Sequence, residues 1–202
     1  MLGLPRGGIP VAAAVAHRLD APLDVVVVRK LGIPWQPEVA MGAIAEDGVR
    51  VLDEALIARA GVTPAQVDVI ENREREVLDQ RVTTIRQVRP TVDLTGRTVV
   101  IVDDGIATGA TAAAACRVAR RRGAATVIVA APVASPDAIA TLHDADQVVC
   151  PWISRSFGAV GAYYEEFSPT QDEEVLQLLA AAAITSPHTT TTRTYAHERH
   201  GV

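Results

Sequence analysis

Three runs of aliphatic residues, rich in β-branched side chains, mark the chain: LDVVVVRK at 23–30, TVVIV at 98–102 and TVIVAAPV at 126–133. None alternates with polar residues, so each reads as a strand buried on both faces, as in a parallel sheet covered by helices. Between the second and third lies TAAAACRVARRRG, a helix-favouring segment that Gly123 stops. Strand, helix and strand within roughly thirty residues form a βαβ unit, which requires parallel neighbours.

The remaining pattern predicts more of the same architecture. VAAAVAHRL at 11–19 predicts a short helix entered through a Gly-Gly-Ile-Pro turn, and it makes a second βαβ unit if residues 1–4 close a strand. Such a strand is abruptly short, so a longer version of the protein, with a preceding helix and a full first strand, is expected. Thr63-Pro64-Ala65-Gln66 supplies an N-cap, a proline at the first helical position and a capping-box glutamine. It opens a long charged helix over 64–88 that lies outside the sheet. A short helix after Ser135-Pro136-Asp137, a strand at 146–150 and a closing helix at 172–183 complete the pattern. The predicted fold is α/β, an open parallel sheet with flanking helices plus a small C-terminal hood at 151–170, in one domain spanning 1–183. The Thr-rich tail, 184–202, lacks periodicity and is expected to be disordered.

Composition narrows the function. The length of 202 residues suits one domain, and a formal net charge of -5 gives no basic footprint for nucleic acid, while leaving a small phosphorylated ligand open. Cys116 and Cys150 lack CxxC spacing, which fits a reducing compartment. No apolar run approaches the roughly 20 residues that span a bilayer. The stretch IPVAAAVA is short and contains Pro10, unlike a secretory signal. A cytoplasmic protein without a membrane partner is the expectation.

The strand at 98–102 runs into Asp103-Asp104 and then the loop GIATGAT. In open parallel sheets ligands bind beyond the carboxyl ends of the strands, and a glycine-rich turn into a helix N-terminus accepts anions. Gly105 and Gly109 let the backbone approach closely, while the amides of Ala107, Thr108, Gly109, Ala110 and Thr111, with two hydroxyls, can cradle a phosphate. Two carboxylates cannot bind that phosphate, but they match the vicinal hydroxyls of a sugar. A ribose 5′-phosphate satisfies both halves; a plain polar turn with a capped helix is the bland alternative. A P-loop nucleotide hydrolase is excluded, because GxxxxGK[ST] occurs nowhere.

TVVIVDDGIATGAT resembles the phosphoribosyl-pyrophosphate (PRPP) motif of the type I phosphoribosyltransferases, departing only at Gly105, where the family usually has an aliphatic residue. Leu4-Pro5-Arg6-Gly7-Gly8 is similar to the family's pyrophosphate loop, Arg29-Lys30 to its basic pair, and LGIPWQPEVAMGAIAEDG falls where it carries a mobile closing loop. The resemblance covers residues 4–150. It implies displacement of pyrophosphate from C1 of PRPP by a nitrogen acceptor, such as a nucleobase, with Mg²⁺ on the diphosphate. Arg6, Lys30 and the amides of Gly7 and Gly8 would stabilise the leaving group. Asp103 and Asp104 would hold the ribose and reach the metal directly or through water.

In 6-oxopurine enzymes the position of Ala107 carries an aspartate, so the resemblance disfavours hypoxanthine and guanine and leaves adenine, orotate and uracil. Trp152, Phe157, Tyr163, Tyr164 and Phe167 cluster in the hood, which makes this segment the candidate for stacking an acceptor ring; the alternative is that they form the hood's own small core. Members of the family commonly dimerise, so the resemblance makes a homodimer an expectation, with the charged helix at 64–88 as a candidate contact. A PRPP-binding regulator without turnover, and an inactive paralogue, are the competing readings.

Overall fold

The computed structural model describes residues 1–185. In chain order these form β1 (Leu2–Gly3), α1 (Gly8–Arg18), β2 (Asp24–Val25), β3 (Val28–Ile33), β4 (Gln36–Ala45), β5 (Val49–Leu52), α2 (Glu54–Ala60) and α3 (Pro64–Val88). There follow β6 (Thr98–Val102), α4 (Ala110–Arg121), β7 (Thr126–Ala130), β8 (Val133–Ala134), α5 (Pro136–Ala140), β9 (Gln147–Val149), β10 (Trp152–Ile153) and α6 (Asp172–Thr185).

Five strands make a parallel sheet in the order β2-β1-β6-β7-β9, with Val99, Ile101, Val102, Val127 and Val129 buried between the helical layers. Helix α4 presents Ala112 to Cys116, Val118 and Ala119 as its buried side, and these small side chains let it lie close on the sheet. Helix α3 opens with the full capping box, the Thr63 hydroxyl accepting from the Gln66 amide and the Gln66 side chain accepting from the Thr63 amide. No helix among the described residues is long and apolar enough to cross a membrane. The expected disordered tail from residue 184 lies outside the described residues, except for the end of α6.

Four expectations need correction. The valine run at 23–30 is not one strand. Val25 to Val28 are all buried, but β2 ends at Val25 and β3 belongs to a different, antiparallel sheet. At the break the Val27 amide donates to the Glu46 carboxylate at 2.8 Å, so a side chain takes the place of a neighbouring strand. The run at 126–133 is likewise split, β7 staying in the main sheet while β8 pairs with β10. The helix expected at 11–19 begins at Gly8, because Pro10 sits in the first turn, where a missing amide costs nothing.

The segment expected to be a mobile loop is instead a sheet of β3, β4 and β5. Its glycines serve pairing as well as turning: a Cβ on Gly32, at a register shift, would fall 2.3 Å from the Pro37 carbonyl, and one on Gly42 would fall 2.4 Å from the Val51 carbonyl. A buried ionic cluster anchors this sheet. The Arg86 guanidinium donates to Asp24 at 2.7 Å and to Glu46 at 3.0 Å, and Arg122 reaches Glu46 at 2.8 Å.

Candidate functional site

The order β2-β1-β6-β7-β9 changes direction between β1 and β6, since the chain builds outward to β2 on one side and to β7 and β9 on the other. That break is where an open parallel sheet leaves a crevice beyond its strand ends. Gly3 of β1 pairs with Val102 of β6, and the Leu4 amide donates to the Val102 carbonyl at 2.9 Å, so the strands end side by side. From β1 emerges Pro5-Arg6-Gly7-Gly8, with a cis Pro5–Arg6 peptide bond; from β6 emerges Asp103-Asp104. Two segments far apart in sequence thus meet as the walls of one crevice.

The approach is close enough to dictate glycine. A Cβ on Gly7 would lie 1.8 Å from an Asp104 carboxylate oxygen. One on Gly8 would lie 2.6 Å from the Val102 carbonyl and 2.9 Å from the Asp103 Cα. The acid turn is further ordered by the Asp104 amide, which donates to Asp103 Oδ1 at 2.9 Å. Burial, then the Asp104 charge, pushes the Asp103 carboxyl up to about 8, and burial also raises Asp104. No lysine or arginine charge offsets either carboxylate among the described residues.

Beyond the acids, the loop climbs to α4 along a second rail. The Ile106 amide donates to the Val133 carbonyl at 2.9 Å, the Ser135 amide to the Ile106 carbonyl at 3.0 Å, and the Ser135 hydroxyl to the Ala107 carbonyl at 2.9 Å. Gly109 has a φ of 81°, and a Cβ there would meet Thr141 Oγ1 at 2.2 Å. Ala107 and Thr108 stay exposed, and the first-turn amides of α4 have no intrahelical acceptor. The backbone therefore presents donors and a positive helix end on the same side of the sheet as the carboxylates.

A cleft of about 450 Å³ opens between these walls and the hood, lined by Arg6, Gly7, Asp104, Tyr164, Glu166 and Phe167 among others. The Tyr164 hydroxyl donates to the Asp104 backbone carbonyl at 2.7 Å. Of the five hood aromatics Tyr164 and Phe167 line this cleft, their ring centroids 5.2 Å apart. Phe157 and Tyr163 stack on each other at 5.6 Å, which fits the reading of a small hood core, and Trp152 is 64% exposed away from the cleft. Lys30 is not brought to the acids: its ammonium reaches the Glu38 carbonyl at 3.2 Å and the Glu38 carboxylate at 3.5 Å. Arg29 faces α3, where Glu74 holds it at 2.9 Å.

Sequence reasoning missed Glu166, Ser168 and Glu174 on the cleft wall, and Ser135 and Thr141 behind the glycine loop. The paired acids of YYEEF were a visible signal for Glu166; the other four carried none.

A pair of carboxylates and an anion-accepting helix start on one loop, with a glycine turn facing the acids across the switch point of a parallel sheet, define an α/β protein whose site suits a phosphorylated ligand. The chain belongs to the phosphoribosyl transferase domain family, whose model matches residues 1–164. A Mycobacterium tuberculosis protein provisionally named a phosphoribosyl transferase is 51% identical over 183 residues, which cover 90% of this chain and 41% of that protein. The same match occurs in a second strain of that organism, so the chain spans about two fifths of the length of these relatives. Among solved structures, the crystal structure of TT1426 from Thermus thermophilus superposes with a TM-score of 0.74 at 44% identity, covering 89% of this chain and 86% of that one.

Proposed function

We propose that the chain binds PRPP with Mg²⁺ and transfers its 5-phosphoribosyl group to a nitrogen of a small acceptor, releasing pyrophosphate. The observation that carries this reading is the meeting of Gly7 and Gly8 with Asp103 and Asp104 at the sheet's switch point. The 5′-phosphate rests on the amides of residues 107–111 at the start of α4, and the ribose hydroxyls donate to the acid pair. The diphosphate lies along the amides of Gly7 and Gly8, with Arg6 on the cleft wall beside it.

The residues fit a hard cation: two adjacent carboxylates, both raised by burial and Asp103 also by its neighbour's charge, with no cationic side chain offsetting them among the described residues, gain most from one. No group of three or more metal-ligating side chains occurs among the described residues, so such a cation keeps most of its shell for water and substrate oxygens. Bound Mg²⁺ would supply neutralisation of the diphosphate charge. The protein's own part is positional and electrostatic. The acids hold the sugar as positive charge grows on its ring, Arg6 and the glycine amides stabilise the departing anion, and the hood limits water.

The acceptor side points to a neutral ring bearing N–H donors. Glu166 and Glu174 line the cleft, where Arg6 is the one cationic side chain among the described residues, which opposes a carboxylated acceptor. Ala107 offers no proton acceptor. The regulator reading draws support from Lys30, which pairs with Glu38 instead of facing the crevice. Calorimetric titration with PRPP, with and without Mg²⁺, followed by a pyrophosphate-release assay on a panel of bases, tests both. Metal-dependent binding with release supports the transferase, binding without release supports the regulator, and no binding refutes the ligand.

A further inference from the structure

Gly105 directly follows the acid pair, and the structure gives its missing side chain a use. A Cβ built on Gly105 would lie 2.6 and 2.7 Å from the two γ-methyls of Val160 and 3.1 Å from Val133 Cγ1. The space an aliphatic side chain would fill is occupied by a side chain from the hood. Four residues on, the Tyr164 hydroxyl donates to the carbonyl of Asp104, the residue before Gly105, at 2.7 Å. Between the two contacts the hood forms a tight 3₁₀ turn, Val160–Tyr163, stiffened because Phe167 lies on Gly161, where a Cβ would meet its ring at 2.7 Å. Burial and the two aspartate charges also raise the Tyr164 phenol, which keeps it a donor.

We propose that Val160 on Gly105 and Tyr164 on Asp104 form a lock that docks the hood on the acid turn, making Gly105, Val160 and Tyr164 positioning residues for the Asp103–Asp104 pair. The physical logic is that one carbonyl and one missing side chain set both surfaces at once. The peptide of Asp104 cannot rotate to re-aim its carboxylate without losing the tyrosine, and the hood cannot slide without a clash at Gly105. What the hood does is therefore felt by the groups that hold the sugar. The affinity readout rests on the PRPP reading above; the docking readout does not.

The lock is tested by a clash and its relief. Gly105→Ala places a methyl into Val160, and Val160→Ala removes the two closest methyls that it meets, leaving only the looser contact with Val133 Cγ1 at 3.1 Å. Trypsin cleavage after the exposed Arg155 in the hood, followed by mass spectrometry on the full chain, reports docking without any ligand. Gly105→Ala is expected to speed that cleavage about tenfold, the scale of overpacking by one methyl. Gly105→Ala with Val160→Ala returns it to within about twofold of wild type. Tyr164→Phe, which loses only the hydroxyl, speeds it about fivefold. Unchanged cleavage in Gly105→Ala, or no relief in the double variant, overturns the lock.

Titration of the same variants with PRPP and Mg²⁺ reads positioning: affinity falls in both single variants and recovers in the double one. A hood that loosens while affinity stays at the wild-type value overturns the positioning role. If the wild type binds no PRPP, the ligand reading fails and the cleavage series still decides the lock.

Discussion

Replacing Asp103 with Asn should stabilise the ligand-free protein while weakening its hold on PRPP and Mg²⁺. Burial and the neighbouring Asp104 charge push the Asp103 carboxyl up to about 8, against about 3.9 for an exposed aspartate. A carboxyl whose folded value lies above its unfolded one contributes stability that is present at acid pH and lost as the pH rises from about 4 toward 8. At pH 7 roughly three units separate the pH from the unfolded value, which at about 1.4 kcal/mol each bounds the effect near 4 kcal/mol. Asp103 is only half-buried by its surface, so water relaxes the pair and about 2 kcal/mol is the expected gain, or about 5 °C in Tm for a domain of this size. Asparagine keeps the oxygen that accepts from the Asp104 amide, so the turn survives the change. The assay is thermal unfolding by circular dichroism at pH 4.5 and pH 8 without ligand, paired with calorimetry against PRPP. The variant should melt above the wild type at pH 8, converge with it at pH 4.5, and lose about tenfold or more in affinity. A variant that melts at or below the wild type at pH 8 would refute the claim that the pair is held against its own repulsion.

Two other substitutions probe the walls of the crevice and its anchor. Gly7→Ala drives a methyl to 1.8 Å from an Asp104 carboxylate oxygen, so that carboxylate must turn from its place; calorimetry should show PRPP affinity down about tenfold or more, and a wild-type affinity would mean that this placement of the carboxylate is not needed. Arg86→Met strands Asp24, which is 1% exposed, and half of the Glu46 pairing, so chemical denaturation should show a loss of about 3 kcal/mol, and a loss under about 1 kcal/mol would mean that the cluster is not what holds β2 to the antiparallel sheet.

What could be read from the sequence was what depends on neighbours in sequence. The unit of β6, α4 and β7 has its strands, helix formers and stop residue in one window, and the capping box of α3 is a contact between residues three apart. The acid pair and glycine loop were legible for the same reason. The valine run misled because the partner of the Val27 amide is the carboxylate of Glu46, and nothing local says that a strand must end where a distant side chain replaces a backbone. The segment 31–48 misled because its glycines and prolines are turn formers in isolation, while in the fold Gly32 and Gly42 are needed for close strand approach. The aromatic cluster was visible, but its division between hood core and cleft wall depends on how the hood docks.

The glycines around the acid turn show why a motif of this kind is steric as well as electrostatic. Gly7 and Gly8 clear one side of the turn for the loop after β1, and Gly105 clears the other for Val160. The carboxylates are thus clamped between two segments, neither adjacent to them in sequence, and are raised in pKa because the clamp excludes water without supplying a positive charge. A pair arranged only for stability would have been given an arginine, as Asp24 and Glu46 were. Leaving the charge uncompensated in a rigid frame costs folding energy, and under the proposed function a ligand that brings a cation and hydroxyl donors would recover it.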